Sequence, residues 1–129
     1  MIEVKNISKS YGEKNQKILA VDNISFSVED GEIFGLIGPD GSGKTSIFRM
    51  LTTVLLPDSG NAEIDRFDVI KDYKKIRQIL GYMPGKFSLY QDLTVEENLE
   101  FFASVFNTTI AENYDLIKDI YQQIEPFKD

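Results

Sequence analysis

The chain has 129 residues, 42% of them hydrophobic with nine Phe and six Tyr, which suits a single core in one small domain or part of a larger one. It carries no Cys and no His, so disulfide staples, thiolate or imidazole metal sites and histidine-based acid/base chemistry are excluded. The net charge of −7 is unevenly placed: residues 1–85 hold 11 basic and 12 acidic side chains and residues 86–129 hold 3 and 9, leaving neither the basic stripe of a nucleic-acid face nor a polybasic lipid patch.

In chain order, Ile2 to Ile7 and Ile24 to Val28 read as strands, the second alternating Ile24, Phe26 and Val28 with Ser25 and Ser27. A polar turn region from Gly12 to Lys17 between them predicts antiparallel pairing near the N-terminus. Glu29-Asp30-Gly31 is a turn that feeds an apolar, β-prone stretch, Ile33-Phe34-Gly35-Leu36-Ile37.

Directly after that stretch comes Gly38-Pro39-Asp40-Gly41-Ser42-Gly43-Lys44-Thr45, which fits the phosphate-loop pattern of two glycines with four residues between them, followed by Lys and Thr. A polyphosphate needs several donors converging on a small volume, and glycines let successive backbone N–H groups approach without a Cβ in the way. Lys44 supplies a point charge able to reach the β- and γ-phosphates. The hydroxyl of Thr45 is the candidate magnesium ligand, and Ser46 follows it on a helix opening at Gly43, whose positive dipole end faces the anion. Ile47, Met50, Leu51 and Val54 continue at helical spacing, so a strand, a loop and a helix stand in the order a nucleoside-triphosphate site requires.

That helix is expected to stop before Pro57-Asp58-Ser59-Gly60. Ala62 to Ile64 reads as a short strand, Lys71 to Gln78 as a basic helix, and Ile79 to Met83 as a strand ended by Pro84-Gly85. Beyond Gly85 the pattern becomes helical. Thr94 with Glu97 and Thr109 with Glu112 have capping-box spacing, each opening a helix with one apolar stripe: Val95, Leu99, Phe102, Phe106, then Ile110, Tyr114, Ile117, Tyr121, Ile124. Both stripes are expected in the core. No apolar run is long enough to span a membrane, and Glu3 and Lys5 interrupt the start where a signal peptide would be apolar, so a membrane link is expected through a partner.

Together these segments resemble the ATPase subunit of ABC transporters over essentially the whole chain. Ser10-Tyr11-Gly12 is similar to the aromatic loop that stacks on adenine, and Gly38 to Thr45 to the phosphate loop. Leu55-Leu56-Pro57-Asp58-Ser59-Gly60 resembles the turn after the phosphate-loop helix. Gly81-Tyr82-Met83-Pro84 and the run Leu89-Tyr90-Gln91-Asp92-Leu93-Thr94-Val95-Glu96-Glu97-Asn98-Leu99 resemble the Q-loop strand and the opening of the helical subdomain. A stacked tyrosine adds on the order of 1–3 kcal/mol with little preference between bases, so weak discrimination between ATP and GTP is expected; a tyrosine that merely covers a turn is the plain alternative.

The resemblance implies a P-loop NTPase of ABC ATPase type in the α/β class: an N-terminal antiparallel β part, a partial parallel core with the phosphate-loop helix, and the start of a helical subdomain. It divides the chain into residues 1–85, a nucleotide-binding core portion, and 86–129, the beginning of that subdomain. It implies ATP and magnesium as cofactors, with Tyr11 and residues Gly38 to Ser46 binding the nucleotide, Lys44 stabilising charge in catalysis and Thr45 on the metal. A transmembrane permease and a second ATPase domain are the implied partners, at the cytoplasmic face of the membrane, with the loop around Phe87, Leu89 and Tyr90 passing motion to the permease.

The sequence departs from the family twice. Gly85 stands where a glutamine usually approaches the magnesium, and it offers no side-chain oxygen; Arg66 stands where a glycine is expected in the turn before Asp68. The family's signature motif, acidic strand, catalytic glutamate and switch histidine are expected beyond Asp129. The chain thus reads as an N-terminal portion that binds ATP without turning it over efficiently, and that self-associates through uncovered sheet edges. A nucleotide-dependent interaction module of the same fold, without transport, is the alternative function. A small P-loop kinase or GTPase is disfavoured because neither a guanine-reading N-K-x-D nor a basic lid is present.

Overall fold

Residues 1–13, 16–86 and 89–127 are described by the computed structural model, which divides into two units, Met1–Met83 and Pro84–Asp129. In the first unit, β1 (Ile2–Tyr11) and β2 (Ile18–Val28) form an antiparallel hairpin that pairs Val4 with Phe26, Ile7 with Ile24 and Tyr11 with Ile18. β3 (Ser59–Ile64) lies antiparallel on the other side of β1, and a two-residue β4 (Phe67–Asp68) pairs with β3, giving the order β2-β1-β3-β4.

Strand alternation would send Val4 and Ile7 to opposite faces, yet both are buried. The register shift between them resolves this: Asn6 takes a left-handed backbone, φ 53°, and the irregularity turns Ile7 back to the face that Val4 occupies. α1 (Lys44–Leu51) contributes Ile47, Met50 and Leu51 to the same core, and α2 (Tyr73–Ile79) contributes Ile76, which is fully buried. Arg77 of α2 donates from Nε to the hydroxyl of Thr53 and from its second guanidinium nitrogen to the Thr53 carbonyl, each at 2.8 Å. That fork satisfies backbone and hydroxyl oxygens in the turn that ends α1, where Thr53 itself sits at φ 60°. The turn stops the helix before Val54, which is exposed and not on the expected apolar face.

The α/β class, the antiparallel N-terminal part and the phosphate-loop helix stand as expected, but the parallel strands do not. Residues 32–39 and 80–84 have no regular secondary structure, and the sheet is wholly antiparallel among the described residues. Ile33, Ile37 and Met83 project into solvent; Phe34 alone of the first stretch is described with a ring contact, stacking on Phe26 at 5.1 Å. A strand exists only beside a hydrogen-bonded neighbour, and no described strand lies beside either segment. Ile79, expected to begin the second strand, instead ends α2. Arg66 also has a local explanation: Asp65 and Arg66 form the β3–β4 turn at φ 49° and 66°, the two positive values that a tight hairpin turn demands.

In the second unit, α3 (Val95–Val105) and α4 (Ile110–Ile124) each open with the reciprocal capping box read from the spacing. Thr94 accepts from the N–H of Glu97, and the Glu97 carboxylate accepts from the N–H of Thr94; Thr109 and Glu112 repeat the arrangement. The stripes are less buried than expected. In α3, Leu99 and Phe102 are half-buried while Val95 and Phe106 are exposed, and the buried residue is Asn98. Its side chain closes the preceding loop, accepting from the N–H of Tyr90 and donating to the carbonyls of Tyr90, Leu93 and Thr94. In α4, Tyr121 is buried and meets Tyr114 edge-on, while Ile110, Tyr114 and Ile117 are half-buried. The Ile124 side chain lies outside the described residues, as does Phe87. A pair of helices has one shared contact surface, which is too little to cover both stripes.

The Glu112 carboxyl is held below the ordinary glutamate value, first by the hydroxyl of Thr108, then by the N–H and hydroxyl of Thr109. A lowered folded-state pKa adds stability above the unfolded-state value and loses it as pH falls through the folded-state value. Helical circular dichroism is therefore expected to hold down to about pH 4 and to fall below it, with Glu112→Gln flattening that acid limb. An unchanged acid limb in Glu112→Gln would show that the cap does not set it.

Candidate functional site: a phosphate loop under a tyrosine

Gly43 is the N-cap of α1 and sits in the left-handed region, φ 92°, ψ −2°. It brings no side-chain cap, and the first turn holds no acidic residue, so neither a capping oxygen nor a carboxylate occupies the positive end of the helix. This differs from α3 and α4, whose first turns are closed by Thr and Glu. Backbone donors at the start of α1 have no partner within the helix, which is the arrangement an anion requires.

The Lys44 side chain folds back over the loop. Its ammonium donates to the carbonyls of Gly38 and Pro39, at 2.6 and 2.8 Å, and so stands beside the loop that its own residue terminates. Ser42 N–H donates to the Pro39 carbonyl at 3.3 Å, tightening the turn. Across from the loop, Tyr11 is the last residue of β1. Its hydroxyl hydrogen-bonds the Ser46 hydroxyl at 2.9 Å, which ties the end of the first strand to the first turn of α1.

Asp40 through Ser46 together with Tyr11 and Ala20 line a pocket of about 340 Å³. The sequence-predicted residues are thereby brought together, except that Gly38 and Pro39 stand behind the wall as acceptors for Lys44. A second hollow, about 430 Å³, lies in the other unit among Leu89, Tyr90, Leu93, Val95, Leu99 and Phe102. It is the larger of the two, but it offers no cation, whereas the smaller one combines an ammonium, hydroxyls and a helix N-terminus.

Comparison with known proteins identifies the architecture. A family model described as ABC transporter matches residues 21–127. The chain belongs to this family. It is 46% identical over 106 residues to the "Probable multidrug ABC transporter ATP-binding protein YbhF" of Escherichia coli (strain K12), a match covering 82% of this chain and 18% of that protein. It is 38% identical to the "Linearmycin resistance ATP-binding protein LnrL" of Bacillus subtilis (strain 168), covering 87% of this chain and 35% of that protein. Among solved structures, the "Structure of ATP binding subunit of ABC transporter" aligns with a TM-score of 0.80 at 25% identity, over 99% of this chain and 52% of that one. The chain thus spans less than half the length of these two curated relatives.

The pocket's donor set fits an ABC nucleotide. The ammonium and the uncapped helix start suit phosphate oxygens, and the exposed Tyr11 ring offers a π-face at the rim. Among the hard oxygens on the pocket wall is the hydroxyl of Thr45, a donor of the kind that magnesium takes beside water and phosphate oxygens. Gly85 is exposed, and a Cβ built there meets nothing within 4 Å, so the fold leaves room for the family's larger residue. Two residues were missed in the sequence. Ala20 enters the wall because β2 begins at Ile18, six residues earlier than its alternation indicated, and Asp58, read only as part of a turn, fastens the strand that carries Tyr11.

Proposed function

We propose that this chain is the ATP-binding portion of an ABC transporter ATPase, with Tyr11 and Asp40 to Ser46 holding the nucleotide and the carbonyls of Gly38 and Pro39 seating the Lys44 ammonium. The observation that supports this reading is a single pocket containing the Lys44 ammonium, the start of α1 and Tyr11. The loop N–H groups and Lys44 bind the phosphates, Thr45 holds magnesium, and the Tyr11 ring lies against the base. Bound magnesium neutralises phosphate charge. Lys44 does the same from the protein side and in hydrolysis stabilises the transferring phosphoryl group; neither it nor Thr45 activates water. In the whole protein, ATP binding drives association with a second ATPase domain at the cytoplasmic face of the membrane, and a permease subunit or domain receives the motion.

The test is calorimetric titration of the chain with Mg-ATP and Mg-GTP, in wild type and Tyr11→Ala. Saturable binding of both nucleotides, weakened by about 5- to 100-fold without the ring, is the expected result. Binding unaffected by Tyr11→Ala would remove the tyrosine from the site, and no binding by the folded wild type would overturn the reading.

A further inference from the structure

We propose that Asp58 is a positioning residue that sets the place of the Tyr11 ring, an inference that rests on the nucleotide reading of the Tyr11 pocket. The ladder between β1 and β3 ends at Ser8 opposite Ser59, three residues short of the end of β1 at Tyr11. Asp58 continues it by other means. Its backbone N–H donates to the Ser8 carbonyl at 2.9 Å, and its carboxylate accepts from the N–H of Ser10 at 2.8 Å and from the Lys9 ammonium at 2.7 Å. One residue thus takes the place of the missing rung on three consecutive residues of β1, immediately before Tyr11.

That strand end needs fastening. On its β2 side the register shifts between Lys9 and Ser10 before pairing resumes with Ser10 opposite Leu19 and Tyr11 opposite Ile18, so the hairpin holds one edge of the strand end across an irregularity and its other edge has no ladder partner. After Tyr11 the chain turns away at Gly12, φ 104°, where a Cβ would lie 2.4 Å from the Gln16 carbonyl oxygen. Tyr11 is therefore held between a glycine turn on one side and the Asp58 clamp on the other, with its hydroxyl on Ser46. Lys9 is largely buried along its side chain, and its hydrogen bond with that of the Ser10 N–H keeps the Asp58 carboxyl below the usual carboxylate range. The clamp is accordingly charged at neutral pH, and a charge-assisted bond to a backbone N–H is a strong directional restraint.

A residue that acts through Tyr11 affects the base half of the ligand and leaves the phosphate half alone. The experiment is calorimetric titration of the whole chain with Mg-ATP and, separately, with magnesium tripolyphosphate. It uses wild type, Asp58→Ala, Tyr11→Ala and the double variant, with a thermal melt of each. Asp58→Ala is expected to weaken Mg-ATP about fivefold or more, to leave tripolyphosphate within about twofold of wild type, and to add nothing in the Tyr11→Ala background. Should Asp58→Ala fail to fold, Asp58→Asn, which keeps an acceptor for the Ser10 N–H but loses the charge, carries the same comparison with a loss of about three- to fivefold in Mg-ATP affinity.

Unchanged ATP affinity in the folded variants would overturn the proposal. So would an equal loss of tripolyphosphate, which marks general loosening, or a full further loss in the Tyr11→Ala background. A wild type that binds neither ligand would instead refute the nucleotide reading, and the proposal with it.

Discussion

Lys44→Ala is expected to weaken Mg-ATP binding by about 10- to 100-fold while leaving the melting temperature nearly unchanged. A hydrogen bond to a charged partner is worth about 1.5–3 kcal/mol, and the ammonium at this position is the one full positive charge on the pocket wall among the described residues. The fold has little to lose, because Lys44 bonds the carbonyls of Gly38 and Pro39 within its own loop and spans no core contact. Lys44→Arg is expected to rescue poorly, since a planar guanidinium cannot replace a compact ammonium over two adjacent carbonyls. Titration calorimetry with a parallel melt checks both variants. A folded Lys44→Ala that binds Mg-ATP as tightly as wild type would remove Lys44 from the site.

Gly43→Ala is expected to damage both the fold and the site, with about 2–4 kcal/mol of lost stability and no measurable nucleotide binding. A Cβ at Gly43 would stand 2.2 Å from the Ala20 carbonyl oxygen and 3.2 Å from the Val21 Cγ2, on a backbone already at φ +92°. β2 holds that carbonyl in place, so the loop has to move, and with it the donors that face the pocket. Gly41→Ala provides the control. Gly41 has a similar backbone, φ +82°, but a Cβ there meets nothing within 4 Å, so only the strain of about 1 kcal/mol remains. Chemical denaturation of both variants separates the two costs. Equal losses would mean that contact with β2 does not govern the loop.

The two variants also mark where reading the sequence succeeds. The need for glycine at Gly43 is visible in the motif, yet the atom that enforces it, the Ala20 carbonyl, comes from a strand more than twenty residues away. The same division runs through the molecule. The capping boxes at Thr94 and Thr109 formed as their spacing indicated, because each is complete within four consecutive residues and needs no partner from elsewhere. Asn98 gave no such signal: within the apolar pattern of α3 it reads as an interruption, and only the path of the preceding loop makes it the residue to bury.

By itself, then, the sequence determined the parts whose chemistry is local: the phosphate loop, the helix starts, the hairpin and the identity of the aromatic residue at its end. Tertiary structure decided what depends on a neighbour. Ile33 to Ile37 and Ile79 to Met83 have the composition of buried strands, but a strand requires a hydrogen-bonding partner, and without one beside them Ile33, Ile37 and Met83 stay exposed. It likewise decided that the carboxylate of a turn residue, Asp58, would replace a ladder rung at the end of β1 and so hold Tyr11 beside the loop. Local patterns are set by covalent spacing, whereas partners are chosen by the path of the whole chain.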